Sequence, residues 1–227
     1  MKLDLRKTIY NTTDTETCPI DRTIKGVDPH NMLVYDVGWR NYDKQNNAYI
    51  TRSFIIEEIF YGEKEKMASS YYAEKLPQYY KDIEDGKRIV KPFDEIVKIY
   101  RADLKKYNVK FISAHNAYFD YIALRTTAKW INAKYQYFFP KNIPLWDTMK
   151  MARDTICKNK TYTYLTASGR KSAKAEHLYK YISQNEEFKE SHTGLEDTEI
   201  ESEILLACLR SHKKMRRCLW ANWTHFF

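Results

Sequence analysis

Four residues of this chain have the types and spacing to gather metal ions and activate water: Asp36, Asp120, His192 and Asp197. Asp36 lies inside the apolar, β-branched run Leu33-Val34-Tyr35-Asp36-Val37. Asp120 falls on the opening turn of a helix in Ser113-Ala114-His115-Asn116-Ala117-Tyr118-Phe119-Asp120, directly behind a buried strand. His192-Thr193-Gly194-Leu195-Glu196-Asp197 opens a second helix with a histidine and a third aspartate. Carboxylates are hard oxygen donors that suit magnesium or manganese. Two such ions roughly 3.5–4 Å apart activate a water and stabilise the leaving oxygen of a phosphodiester. Without them a cluster of acids repels itself, and a histidine titrates near the pH at which such a proton transfer runs.

The elements that must position these residues follow from pattern. Residues 1–31 carry Thr, Asp, Asn and Pro with little periodicity and read as an irregular N-terminal extension. Met32 to Trp39 is the first strand, its near-continuous apolar run suiting burial on both faces. Ala48-Tyr49-Ile50-Thr51 and Ser53-Phe54-Ile55-Ile56 read as two further antiparallel strands. Between Met67 and Tyr107 the pattern is helical, with Met67 and Tyr71, and Ala68 and Tyr72, at i, i+4, and then Phe93, Ile96, Val97, Tyr100 and Leu104 on one stripe. Val109 to Ile112 is a short strand expected parallel to the first by a right-handed crossover, which would bring Asp120 beside Asp36. Ile143 to Asp147 reads as an edge strand, with Asp147 capping the helix that follows. Thr193-Gly194-Leu195-Glu196 reads as a capping box, which makes Glu196 a cap before a ligand.

The order and wording of these pieces resemble the DEDDh exonucleases, the proofreading and RNase T-like group. The resemblance runs from about Met32 to His212. The stretch His115 to Asp120 matches the family's second motif, and His192 followed five residues later by Asp197 matches its third. The first motif is normally Asp-x-Glu on the first strand, where this chain reads Asp36-Val37-Gly38. The wording Tyr35-Asp36-Val37-Gly38-Trp39 resembles a branch encoded by bacteriophages. The resemblance implies an α/β ribonuclease H-like fold with a central mixed five-stranded sheet flanked by helices, over residues 32–214, followed by an aromatic tail over 215–227. It implies a metal-dependent 3′–5′ exonuclease acting on single-stranded DNA or RNA, with two Mg2+ or Mn2+ ions held by Asp36, Asp120 and Asp197, His192 as general base, and a homodimer.

Glycine at position 38 offers no ligand. Either Glu57 (the preferred substitute), Glu58 or Glu196 takes the missing place, or water fills it and the enzyme is slower, or hydrolysis is lost and binding kept. The last reading corresponds to a catalytically impaired nucleic-acid-binding phage accessory protein; a further alternative is a phosphodiesterase for short or cyclic nucleotides. Expected substrate contacts are Gly38, Trp39, His115, Asn116, Tyr118, Tyr121 and Lys171, the last from a segment, Lys158 to Lys174, in which basic residues and tyrosines interleave as a single strand would require.

Composition narrows the class. The formal charge of +8 over 227 residues favours a polyanionic partner. Four widely spaced cysteines, Cys18, Cys157, Cys208 and Cys218, show no zinc or disulfide pattern. No run is long and apolar enough for a membrane span, and the first residues lack the apolar core of a signal peptide, so a cytoplasmic protein with no membrane partner is expected.

Overall fold

Threonines at 12, 13, 15 and 17 make the polar stretch Tyr10–Pro19 a strand of ten residues, β1, because β-branched side chains suit the pleated backbone. Its buried polar atoms are satisfied by cross-strand bonds: Asn11 donates to Asn41, Thr12 bonds the Tyr42 hydroxyl and Ser113, and Thr13 bonds Tyr100. In the computed structural model, which describes residues 8–68, 70, 73–190, 193–212 and 224–225, this strand is central. The reading of residues 1–31 as irregular is therefore corrected for Tyr10–Pro19. So is the sheet's first strand, which is β1 rather than the apolar run after it.

That run forms β2 (Met32–Tyr42), antiparallel to β1, and β3 (Ala48–Ile56) follows as one strand where two were expected. Short helices α1 (Glu57–Phe60) and α2 (Lys64–Met67) precede α3 (Leu76–Glu84) and the short strand β4 (Ile89–Lys91), parallel to β3. Helix α4 (Phe93–Lys106) buries Phe93, Ile96, Val97, Tyr100 and Leu104. The Glu58 carboxylate accepts from the Phe93 N–H at its start. Then come β5 (Phe111–Ala114), α5 (Ala117–Trp130), β6 (Leu145–Asp147), α6 (Thr148–Asp154), α7 (Ala175–Ser183), α8 (Gly194–His212) and the two-residue β7 (Thr224–His225). Asp147 caps α6 through the Lys150 N–H at 3.1 Å, as its position predicts.

The strand order is β4-β3-β2-β1-β5-β6-β7, a mixed sheet with two strands more than the five expected. One face packs against α4 and α5, the other against α6, α7 and α8. β5 lies parallel to β1, not to β2, so the crossover brings the start of α5, with Asp120, to β1. Ser191, His192, Tyr71, Tyr72 and the aromatic residues Trp220, Trp223, Phe226 and Phe227 lie outside the described residues, as does Cys218; Cys18, Cys157 and Cys208 are free thiols. No helix among the described residues is long and apolar enough to cross a membrane.

Candidate active site

Period-two alternation along β1 places Asp14 and Glu16 on one face of the sheet, the face crossed by α8. Asp197, in the first turn of α8, meets them there: one ligand oxygen from each of Asp14, Glu16 and Asp197 lies within 4.8 Å of the others. Asp120 arrives from the next element. β5 stops pairing with β1 at Thr12, the chain turns at Asn116 in the left-handed region (φ 70°), and the first turn of α5 fills the space beside β1. There the Asp120 carboxylate accepts a 2.7 Å hydrogen bond from Thr15 Oγ1.

Two glycines explain why α8 can come so close. Gly38 on β2 faces Gly194, the first residue of α8, and a Cβ on Gly38 would overlap the Gly194 carbonyl. A Cβ on Gly194 would in turn stand 3.0 Å from the Gly38 nitrogen. Backbone therefore meets backbone, which only glycine permits, and the first turn of α8 is set down over β1 and β2. The Gly194 N–H donates to Asp36 Oδ2 at 3.2 Å, and the Thr193 hydroxyl bonds the Glu196 carboxylate.

The charges of the two acidic groups differ sharply. Burial and the carboxylates of Glu201, Asp197, Glu16 and Asp120 push the Asp14 carboxyl well above its ordinary value. Glu16 is raised in the same way, first by burial and then by Asp197 and Asp36, with Lys75 opposing. Asp120 is raised to about 7, chiefly by burial. Asp36, by contrast, receives Arg88 Nη1 at 3.1 Å, the Tyr79 hydroxyl at 2.8 Å, the Ser53 hydroxyl at 3.0 Å and the Gly194 amide. Burial leaves its carboxyl above the ordinary carboxylate range, although Arg88 and these hydrogen bonds draw it down. Arg88, itself buried, also reaches Asp82 and Glu196.

Hard oxygen donors that repel one another are what a divalent metal needs, and the chemistry of Asp14, Glu16 and Asp197, whose oxygens lie within 4.8 Å of one another, fits one. Asp36 is thereby corrected. It anchors the start of α8 and is neutralised from within the protein. Gly38 is corrected too: it is a packing contact, and the Asp-x-Glu spacing sought there occurs at Asp14-Thr15-Glu16. Glu57 opens α1 exposed to solvent and is not among the clustered acids.

Other expected contacts fare unevenly. Trp39 is fully buried, its indole N–H on Asp103 and its ring against Phe54 and Tyr100, so it is core. Tyr121 is also buried in the core cluster around α5. His115 bonds the Ala173 carbonyl through Nε2 at 2.7 Å and stands 3.2 Å from the Thr148 hydroxyl through Nδ1, and burial lowers its pKa. Both ring nitrogens thus serve the loop. Asn116 and exposed Tyr118 flank Asp120 on its own turn, and Lys171 is exposed, 5.6 Å over the Tyr162 ring. An open groove of about 710 Å³ begins at Glu16 and runs past Arg22, Ile24, Val27 and Met32.

The mixed sheet flanked by helices matches the ribonuclease H-like fold of solved exonuclease structures. The nuclease domain of 3′hExo, a DEDDh family member solved with rAMP, matches with a TM-score of 0.62 at 12% identity, over 92% of this chain and 94% of that one. Exonuclease I from Methylocaldum szegediense matches at 0.56 and 14% over 95% of this chain, and E. coli exonuclease I with a dT13 oligonucleotide at 0.51 and 13% over 91%. The chain spans about 43% and 42% of the length of those last two. No protein-family model and no curated protein matches the chain. At these identities the likeness establishes the fold.

Proposed function

We propose that the chain is a metal-dependent 3′–5′ exonuclease of the DEDDh type that hydrolyses the phosphodiester bonds of single-stranded DNA or RNA. The convergence of Asp14, Glu16 and Asp197 within 4.8 Å, with the carboxylates of Glu201, Asp197, Glu16 and Asp120 acting on Asp14, carries this reading. Asp14, Glu16 and Asp197 would hold one Mg2+ or Mn2+ ion, and Asp14 with Asp120 a second. When bound, such ions supply counter-charge, a water acidic enough to ionise near neutrality, and stabilisation of the leaving oxygen.

The protein's own groups do the rest. Thr15 fixes the Asp120 carboxylate by its hydroxyl, and the Gly38–Gly194 contact fixes the height of Asp197 over β1. His192, five residues before Asp197, takes the proton of the attacking water. The groove beginning at Glu16 offers a strand Arg22 for phosphate and the exposed side chains of Ile24 and Val27 for bases. Tyr118, Asn116 and Lys171 are further contacts on this reading. That 3′hExo was solved with rAMP and E. coli exonuclease I with dT13 supports a nucleotide or single-stranded occupant.

The impaired accessory protein and the small-nucleotide phosphodiesterase are readings for a site without the first motif's glutamate, and Glu16, two residues beyond Asp14, supports the exonuclease over both. A phage origin, a place in the host cytoplasm and a homodimer rest on the resemblance alone and belong to the same proposal; sedimentation of the purified chain tests the last.

The test is release of mononucleotides from 3′-labelled single-stranded DNA and RNA with magnesium or manganese, beside Asp14→Asn and His192→Ala. Metal-dependent release lost in both variants is expected. Strand binding without release under either metal would overturn the reading.

A further inference from the structure

α8 carries a second acid on the side of Asp197. Glu201 lies four residues beyond it, so the two side chains sit one above the other on the same face of the helix. Glu201 is 3% exposed, yet its Oε2 has no hydrogen-bond partner. The carboxylate receives the backbone N–H of His115, while the charges it faces are the acids Asp120, Asp197 and Glu190. Seen from β1, Glu201 is the strongest of the charges acting on Asp14, ahead of Asp197 and Glu16.

A carboxylate oxygen taken out of water without a donor is costly, and buried polar atoms rarely go unpaired without a reason. Here every charged neighbour makes the cost larger. A glutamine or an aliphatic side chain at this point of α8 would avoid it. The arrangement makes sense if the open oxygen is directed at a ligand of positive charge shared with the acids across from it.

We propose that Glu201 is a fifth carboxylate of the site, sharing a divalent cation with Asp14 and Asp120 beside the cation held by Asp14, Glu16 and Asp197. The inference rests on the metal-dependent reading above and adds a ligand to it. Its consequence is a tighter second cation step, so that both positions fill at lower metal concentration than four acids would achieve.

The test is equilibrium Mn2+ binding to the full chain, by titration calorimetry and electron paramagnetic resonance, for the wild type, Glu201→Gln and Asp197→Asn. Thermal unfolding with and without Mn2+ is followed alongside. Glutamine keeps the side chain's size and an acceptor for the His115 amide, so the fold is retained, and Glu201→Asp keeps the charge while withdrawing it by one methylene. Two ions are expected in the wild type, with the weaker step reduced roughly 10–100-fold in Glu201→Gln and the tighter step left in place. Glu201→Asp should fall between the two. Wild-type affinity at both steps in Glu201→Gln would overturn the inference and leave the exonuclease reading standing if Asp197→Asn loses its tighter ion. Absence of cation binding in the wild type, or its persistence unchanged in Asp197→Asn, would overturn both.

Discussion

Replacing Asp120 by asparagine tests whether the acids of β1, α5 and α8 are a site built for cations, because it should stabilise the protein when no metal is present. The Asp120 carboxyl is raised from 3.8 to about 7, mainly by burial. A group whose folded value lies above its unfolded value contributes its stability in full below the unfolded value, near pH 4, and loses it as pH rises through the folded value. At pH 8 the loss is complete, and at about 1.4 kcal/mol for each pH unit it amounts to about 4 kcal/mol. Asparagine carries no charge and still accepts from Thr15 Oγ1, so it escapes this cost. In a chelator at pH 8, Asp120→Asn should therefore melt several degrees above the wild type, at roughly 2–4 °C per kcal/mol for a chain of this size. The difference should shrink toward zero as pH falls to 4. Mn2+ should raise the wild type's melting temperature and move the variant's much less, reversing or closing the gap. Differential scanning calorimetry over pH 4 to 8, with chelator and with Mn2+, measures all of this. A variant less stable than the wild type at pH 8 in chelator would refute the reasoning, since it would mean that the protein itself compensates the carboxylate.

Other consequences can be checked with single substitutions. Glu16→Gln should abolish metal-dependent nuclease activity whereas Glu57→Gln, on an exposed helix start, should leave it unchanged; the 3′-labelled strand assay separates them. Gly38→Ala should destabilise by about 1–3 kcal/mol or more, because the added Cβ meets the Gly194 backbone and no side chain can yield, and Gly38→Glu should not fold; urea denaturation measures the first and circular dichroism the second. Arg88→Leu leaves Asp36 buried without its cation and should cost about 3–5 kcal/mol, with much of the loss recovered when Asp36→Asn is added.

Part of this site is legible in the sequence, and the reason lies in how each acid is carried. Asp120 and Asp197 stand on the opening turns of helices, where a short apolar strand or a Thr-Gly-Leu-Glu cap announces the turn. Asp14 and Glu16 stand on a strand that has almost no apolar residues. Its burial is achieved by hydrogen bonds to Asn41, Tyr42, Tyr100 and Ser113, up to about 100 positions away in the chain, and such partners leave no local pattern. The available signal was the run of β-branched threonines around an Asp-x-Glu spacing. Tyr121, expected to contact substrate, is buried because α5 is covered on more than one side and its buried residues include Tyr121, Ile122, Ala123 and Leu124 in succession.

Asp36 shows why an aspartate in an apolar strand cannot be given a role from its surroundings in sequence. It faces α8 on the strand next to Glu16, paired with it across β1 and β2, so position alone would admit it to the metal site. What separates the two is their donors. Arg88, Tyr79, Ser53 and the Gly194 amide all turn toward Asp36, and a carboxylate so supplied has little left to offer a metal. Asp14 faces carboxylates instead, and a proton or a cation from outside relieves that repulsion. The two acids are also mechanically linked, because the amide that Asp36 holds begins the helix that carries Asp197 and Glu201. The neutralised acid fixes where α8 starts, and the start of α8 fixes how closely the repelling acids are held together.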